Sequence, residues 1–274
     1  MANSVNTNFG ATVALQSLNK TNRELDVVQK RVSTGYRVSD AKDDGASFAV
    51  AQGLRADVKG NEAVNERLSV AKGLLAVTQE GLKGISDTIG SLRAVVVKIA
   101  DASLSADELA QYKNDYTALI ADVTKYRDQS SFGGKNLLNA AATTNIISDA
   151  SGGVIALTGI SLATGLTALG AAPAAASNAI TMLGDGNATS LSAFEKIVND
   201  QIAAVGASMR TVENQDNFIK VLGDTINDAI GSIVDADLAK ESAKLQALQI
   251  RQQLGTQTLS IANQSPSILL SLFQ

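Results

Sequence analysis

The sequence predicts a mainly α-helical protein: a long rod of antiparallel coiled-coil or bundled helices, with a small β-hairpin region at its tip. Three observations support this prediction. Apolar residues recur at alternating spacings of four and three through several long blocks. Only two prolines, Pro173 and Pro266, interrupt the 274 residues. Between residues 140 and 190, Ala, Gly, Ser and Thr with β-branched pairs replace the helical pattern.

The first block predicts a helix near the N-terminus that ends at a glycine. Its heptad-spaced stripe consists of Ala11, Leu15, Leu18, Asn22, Leu25, Gln29 and Val32. Gly35 is a C-cap signal, because glycine readily adopts the left-handed conformation. Ser39 or Asp40 is expected to cap the next helix. Asp43 and Asp44 are expected in its first turn, where the helix dipole favours carboxylates.

Three further stripes predict a central bundle. The longest covers residues 50–99 and corresponds to a helix of roughly 75 Å at 1.5 Å per residue. A capping box formed by Ser105 and Glu108 precedes a second stripe over 109–126. The third stripe covers 194–233. Stripes of this kind bury one another in antiparallel bundles.

The segment 141–190 has a different pattern. Ile146-Ile147 and Val154-Ile155 flank Gly152-Gly153, which predicts one or two short hairpins. A flexible linker rich in Ala, Gly and Ser is the alternative. Because the segment has no heptad stripe, we expect the helices to pack and assemble without it.

The last helix is apolar on two nearly opposite faces. At about 100° per residue, one face carries Ala243, Ala247, Ile250, Leu254 and Ile261, and the other carries Leu245, Leu248, Leu259 and Ala262. A helix of this kind needs two partners. The N-terminal helix of the same chain can cover one face, and another molecule must cover the other.

The distribution of charge also predicts assembly through the ends of the chain. All fifty charged side chains lie between Lys20 and Arg251. Disordered tails usually carry charge and lack an apolar pattern, so these ends are unlike them. A polymer that buried an unpaired charge would also incur its desolvation free energy in every copy, and uncharged ends avoid this. The predicted assembly interface therefore consists of Leu15, Leu18, Leu25, Val32, Leu245, Leu248, Ile250, Leu254, Leu259, Ile261, Leu269 and Leu272.

Composition argues against several functional classes. The chain has no His and no Cys, and its net charge is −4. Without histidine, the chain lacks the commonest general base and metal ligand. Without cysteine, it can form no disulfide and has no thiolate. The chain has no basic patch of the kind that binds nucleic acid. No apolar run reaches the ~18 residues of a membrane-spanning helix. We expect no enzymatic activity, no catalytic residues, no cofactor or metal, and no membrane insertion. The N-terminus lacks the features of a secretory signal, which by itself indicates a cytoplasmic protein.

Motifs at both ends of the chain resemble bacterial flagellin. Residues 31–44 are similar to that family's N-terminal signature. The residues that carry this similarity, and that we expect at the hinge, are Arg31, Gly35, Arg37, Asp43 and Asp44. Residues 131–138 are similar to the family's Phe-Asn-Gly turn, with Gly133 where Asn is usual. Residues 249–256 and 262–266 resemble its closing signature. The resemblance covers about 1–140 and 190–274.

The resemblance implies a subunit that polymerises into the flagellar filament for swimming. Residues 1–40 with 235–274 would form the inner tube around an export channel, and 41–140 with 191–234 the outer tube. Residues 141–190 would form a short β and loop insertion at the tip. Export through the flagellar type III apparatus, without a cleaved signal, would place the protein outside the cell and replace the cytoplasmic expectation.

The resemblance also implies partners: further copies of the chain, the export apparatus, an export chaperone, and the cap and hook-junction proteins. Two alternatives remain open at this point: a hook–filament junction protein and a secreted coiled-coil protein. A metalloprotease insertion, which a few flagellins carry, requires a His-Glu-x-x-His motif that a chain without histidine does not have.

Overall fold

A computed structural model describes residues 8–139, 141, 143–184 and 190–271, with side chains as far as Gln264. These residues form seven helices and two antiparallel β-hairpins, which confirms a mainly helical fold with a small β region. The chain divides into two compact units: a terminal unit of residues 1–56 and 225–274, and a central unit of residues 57–224. Over the described residues, no helix is long and apolar enough to cross a membrane.

The helices are α1 (Phe9–Thr34), α2 (Gly45–Ile99), α3 (Ala106–Gln129), α4 (Ala163–Leu169), α5 (Ala176–Leu183), α6 (Leu191–Val234) and α7 (Leu238–Ser271). One hairpin pairs β1 (Ser131–Phe132) with β2 (Lys135–Asn136). The other pairs β3 (Thr143–Ile147) with β4 (Val154–Thr158), with Ile147 opposite Val154. The predicted capping box at the start of α3 is present, with Ser105 and Glu108 bonded reciprocally.

The core of the central unit follows the predicted stripe on α2. Every position of this stripe from Asn61 to Ile99 is buried, whereas Val50 and Asp57, nearer the start of the stripe, are exposed. Facing residues of α3 and α6 complete the core, among them Tyr116, Val123, Phe194, Val198, Val205, Val212 and Ile219. The heptad pattern therefore predicts this part of the fold residue by residue, because each stripe is covered by the other helices.

One carboxylate lies within this apolar core. The Asp216 side chain is 2% exposed, and its Oδ2 accepts hydrogen bonds from Lys72 Nζ at 2.5 Å and Lys220 Nζ at 2.8 Å. Desolvation raises the pKa of Asp216, but its bonds to the two lysines outweigh that effect and hold the pKa below its ordinary value. The ion pair between Asp216 and Lys72 joins α6 to α2 at one defined register.

Described residues of the segment 141–190 are part of the core, in contrast to the sequence expectation. Leu157, Leu162, Leu166, Leu169 and Ala179 are buried in the same cluster as the long helices. The Tyr116 hydroxyl donates to the Leu169 carbonyl at 2.5 Å. A missing heptad stripe indicates a missing long helix, and it says nothing about buried side chains of short elements. Removing residues 142–190 is therefore expected to uncover the core and destabilise the central unit.

The β3–β4 hairpin lies alongside α2 and α6. Gln215 of α6 donates to the carbonyl of Ser148 at 2.7 Å. A Cβ added to Gly60 of α2 would lie 3.0 Å from the Cβ of Ala150. The hairpin turn thus contacts positions well inside both long helices, whereas the sequence analysis placed it at the tip.

Glycines of α2 allow the end of α3 and the residue that follows it to approach closely. A Cβ at Gly81 would lie 1.8 Å from Ser130 Oγ, and a Cβ at Gly84 would lie 2.9 Å from the Tyr126 ring. Ser130 is held in this place by donating to the Tyr126 carbonyl at 2.5 Å. Gly90, on the same helix, has no atom within 4 Å of its added Cβ.

We predict opposite effects of alanine at two of these glycines. Gly81→Ala should lower the free energy of unfolding by roughly 1–3 kcal/mol, because Ser130 must move out of a packed site. Gly90→Ala is the matched control and should raise it by about 0.5–1 kcal/mol, because alanine favours a helix. Urea denaturation followed by circular dichroism measures both values. Equal shifts in the same direction would contradict this packing.

Candidate assembly site at the terminal helices

Helices α1 and α7 pack against each other in antiparallel orientation. Asn8 Nδ2 donates to the Ala262 carbonyl at 2.7 Å, and Gln252 Nε2 donates to Asn22 Oδ1 at 2.9 Å. Arg31 Nη1 lies 3.3 Å from Glu241 Oε1. As residue numbers rise along α1, those of its partners on α7 fall. The N-terminal helix therefore covers one face of the last helix, as the two-faced pattern predicts.

The contact between these two helices contains little fully buried apolar surface. Within the described parts of α1 and α7, Val28 at 1% exposure and Leu248 at 2% are the buried apolar residues. The partly buried apolar residues of the predicted interface are Leu18, Leu25, Val32, Leu245 and Leu259. Gly255 permits close approach, since a Cβ there would lie 3.1 Å from Leu18 Cδ1.

The inward stripe of α1 differs from the predicted one. Leu15 and Gln29 are exposed, whereas Ala14 is partly buried and Val28 is fully buried. A straight helix has 3.6 residues per turn, so a strict heptad drifts around it by about 20° per repeat. The buried positions follow the helix period here rather than the strict heptad, and the predicted stripe is wrong at Leu15 and Gln29.

Both helices expose large apolar side chains on their other sides. On α1 these are Phe9 (81% exposed), Val13 (48%), Leu15 (47%) and Val27 (43%). On α7, apart from its first residue Leu238, they are Ile250 (59%), Leu254 (57%) and Ile261 (64%). We call these seven residues the outward strips. Apolar side chains exposed along one face of a helix are a candidate surface for another molecule.

The outward strips contain four of the predicted interface residues and three that sequence reasoning missed. Leu15, Ile250, Leu254 and Ile261 are exposed as an intermolecular contact requires. Phe9, Val13 and Val27 were missed, because they lie off the heptad stripe; their apolar character was the available signal. Leu269 lies in α7 with a side chain outside the described part, and Leu272 lies outside the described residues.

The two breaks in the helical pattern, at residues 35–44 and 235–237, lie side by side. Gly35 adopts the left-handed conformation with φ 74° and closes α1 through a bond to the Arg31 carbonyl, as its C-cap signal predicts. Tyr36 and Asp235 form an antiparallel bridge, and Arg37 Nη2 donates to the Ile233 carbonyl at 2.6 Å. Val38, Ala51 and Val234 form a small buried cluster here.

Carboxylates organise the first of these breaks. Asp43 Oδ2 accepts hydrogen bonds from the Ser39 amide at 3.1 Å and the Ser39 hydroxyl at 2.9 Å, and lies 3.3 Å from Lys30 Nζ. The bonds from Ser39, with a smaller effect of Lys30, lower the pKa of Asp43 to about 2. Lys30 Nζ also lies 2.6 Å from Asp40 Oδ2.

Asp44, rather than Ser39 or Asp40, caps α2. Its Oδ1 accepts from the amides of Ala46 and Ser47, the first exposed donors of the helix. Asp40 instead accepts from the amides of Lys42 and Asp43 in a turn of its own. Several residues between 39 and 44 have side chains that can cap a helix, and the path of the backbone determines which of them does so. The predicted cap is therefore wrong by four or five residues.

Family profiles and sequence relatives both match the chain to bacterial flagellins. The family profile described as "Bacterial flagellin N-terminal helical region" matches residues 5–143, and "Bacterial flagellin C-terminal helical region" matches 191–273. The chain is 37% identical over 276 residues to "Flagellin FljM" of Caulobacter vibrioides, covering 99% of each chain. It is 30% identical over 291 residues to "Flagellin" of Brucella melitensis, again covering 99% of each.

A solved structure also shares the fold. A putative flagellar hook-associated protein from Vibrio parahaemolyticus superposes with a TM-score of 0.52 at 11% identity, over 70% of this chain and 100% of that one.

We predict that the stabilising effect of Asp43 disappears in acid. The folded pKa of about 2 lies below the ~3.9 of an unfolded aspartate, so the effect is complete above pH ~4 and is lost as the pH falls through ~2. Asp43→Asn should therefore lower the thermal midpoint at pH 5 and lower it much less at pH 2, where about half of the folded-state carboxylate is protonated. Asp26→Asn, an exposed change on α1, serves as the control. A midpoint difference for Asp43→Asn that is as large at pH 2 as at pH 5 would contradict the assigned bonds.

Proposed function

The chain belongs to the bacterial flagellin family, and from that membership we propose which surface builds its polymer. The protein is a structural subunit of the bacterial flagellar filament, the polymer that drives swimming. We propose that the outward strips of α1 and α7 bind neighbouring copies of the chain, while the inward faces hold α1 and α7 together. The exposure of Ile250, Leu254 and Ile261 beside a covered inner face is the observation that carries this proposal.

The energetics favour a second copy as the occupant of the strips. Burying one large aliphatic side chain contributes about 1.5–3 kcal/mol relative to leaving it in water. The strips hold seven apolar side chains, and the sequence beyond Arg251 carries no charge that burial would leave unpaired. A contact between two different surfaces of the same chain produces a filament when its rotation does not close into a ring.

We assign the domains of the subunit by the same reasoning. Residues 1–40 with 235–274 form the inner tube, around a channel that Asn, Gln, Ser and Thr keep wettable without fixed charge. Residues 41–140 with 191–234 form the outer tube, and 141–190 form a small insertion. Arg31, Gly35, Arg37, Asp43 and Asp44 serve as the hinge between the tubes, a role supported by the meeting of the two helix breaks at this point.

The remaining partners and the location follow from the family. We propose export by the flagellar type III apparatus without a cleaved signal, an extracellular location, and contacts with an export chaperone and with the cap and hook-junction proteins. The family is one of structural proteins, and we propose no enzymatic activity. Full-length flagellin relatives support this function over the hook–filament junction alternative, since the hook-associated structure shows similarity of fold alone.

We predict that Ile261→Asp blocks polymerisation without unfolding the subunit. Ile261 is 64% exposed in the single chain, so a carboxylate there remains solvated until a neighbouring copy covers it. Seeded sedimentation should show little polymer, whereas circular dichroism of the unassembled protein should match the unsubstituted chain. Ile261→Leu is the control for a change of shape without charge and should still pellet.

A second variant separates the two faces of α7. Leu259 is partly buried against α1, so Leu259→Asp should weaken the pairing of α7 with its own α1 as well as polymerisation. Normal pelleting of Ile261→Asp would show that the outward strip is not an interface, and the proposed assembly surface would then be incorrect.

A further inference from the structure

Helix α7 offers two apolar faces, and hydrophobic burial alone does not choose between them. The inner face that contacts α1 includes Leu245, Leu248 and Leu259, and the outward face includes Ile250, Leu254 and Ile261. The two sets are similar in size and hydrophobicity, and the hydrophobic effect is non-directional. A helix that docked on α1 through its outward face would bury as much apolar surface. Correct assembly therefore requires a feature that distinguishes the faces.

The polar contacts between α1 and α7 supply that feature. Gln252 bonds to Asn22 at 2.9 Å, and Glu241 pairs with Arg31 at 3.3 Å. Both polar groups of α7 lie on its inner face, and their partners lie at matching positions along α1. The outward positions Ala243, Ala247, Ile250, Leu254 and Ile261 are all apolar.

The Arg31–Glu241 pair is suited to selection rather than to stability. Its side chains are only 26% and 13% exposed, and each leaves one buried atom, Arg31 Nε and Glu241 Oε2, without a hydrogen bond in the described structure. A partly satisfied pair adds little to stability, whereas burying either charge without the other is strongly unfavourable. Docking α7 by its outward face would leave Arg31 against apolar residues, and a shift of register would separate the pair.

We infer that Arg31–Glu241, together with Asn22–Gln252, selects which face of α7 docks on the α1 of its own chain and so reserves the outward strip for a second copy. A polar pair within an apolar helix contact specifies register in coiled coils by the same mechanism. The inference rests on the proposed function, because the reserved strip matters only in a polymer. Arg31 and Glu241 are thus positioning residues for assembly.

The absence of cysteine from the chain permits a direct test by disulfide trapping. A Cβ added to Gly255 lies 3.9 Å from the Cβ of Leu18, close to the ~3.8 Å of a disulfide, so Leu18→Cys with Gly255→Cys reports the inner face. Leu18→Cys with Gln257→Cys reports the wrong face, because two residues rotate the helix by about 200°. Both reporters are oxidised in the full-length protein after seeding, and disulfides within one chain are distinguished from those between chains by gel mobility.

With the native pair, the 18–255 bond should form within the chain and the 18–257 bond should not. Arg31→Leu with Glu241→Leu should leave the helicity unchanged, because the replacement is apolar and of similar volume. The same variant should lose part of its 18–255 bond and gain the 18–257 bond. A purely structural role would not change the trapping pattern at constant helicity. Exchanging the charges, Arg31→Glu with Glu241→Arg, should restore the native pattern.

Each outcome has a separate meaning. Absence of polymer from the unsubstituted chain would overturn the proposed function. Normal polymer, with the 18–255 bond still dominant in the Leu/Leu variant, would overturn the inference and leave the function intact. If the Leu/Leu variant lost its helicity, the exchanged pair would decide: native trapping supports selection by charge, and its absence overturns it.

Discussion

The pairing of α1 with α7 decides which apolar side chains of these two terminal helices stay exposed. The pair has Val28 and Leu248 as its fully buried apolar residues over the described part of 26- and 34-residue helices. Ordering a residue costs about 1–2 kcal/mol of backbone entropy, so helices of this length with so small a core gain little from packing on each other alone. The large side chains that could contribute more, such as Phe9 and Ile261, face outward. A second copy that covers them would provide the missing stabilisation, which couples the order of the ends to assembly.

The central unit has the opposite character. Its α2 stripe is buried from Asn61 to Ile99, and the elements of the segment 141–190 extend that core through residues such as Leu157 and Leu169. The buried Asp216, held by Lys72 and Lys220, adds a specific contact between α2 and α6. We expect this larger core to keep the unit ordered without a partner. The chain would then combine a unit with an extensive core of its own and terminal helices whose apolar side chains are left largely exposed.

The sequence predicts the parts of this structure in which one periodic signal decides the outcome. The long stripe on α2, the capping box at Ser105, the glycine that ends α1 and the two faces of α7 are all found where they are expected. The errors occur where local signals compete or are weak. The N-cap residues of α4 and α5, Leu162 and Ala175, make no side-chain capping bond, so tertiary packing rather than local sequence places these helices. Glycines such as Gly81 are needed for a contact with Ser130 that only the folded chain brings about. For the assembly site, amphipathicity identifies α7 but cannot show which face α1 covers, because that choice depends on pairs such as Arg31 with Glu241.

Hydrogen exchange of the terminal helices, compared between unassembled protein and filaments, tests this coupling of order to assembly most directly. The amides of α1 and α7 should exchange rapidly in the unassembled subunit and slowly in the filament, while those of α2 around Leu82 should be protected in both. Equal, strong protection of α1 and α7 in the unassembled subunit would show that the pair is stable by itself. Assembly would then add contacts to helices that are already ordered. Burial of their exposed faces by a neighbouring copy would not be the cause of order at the ends of the chain.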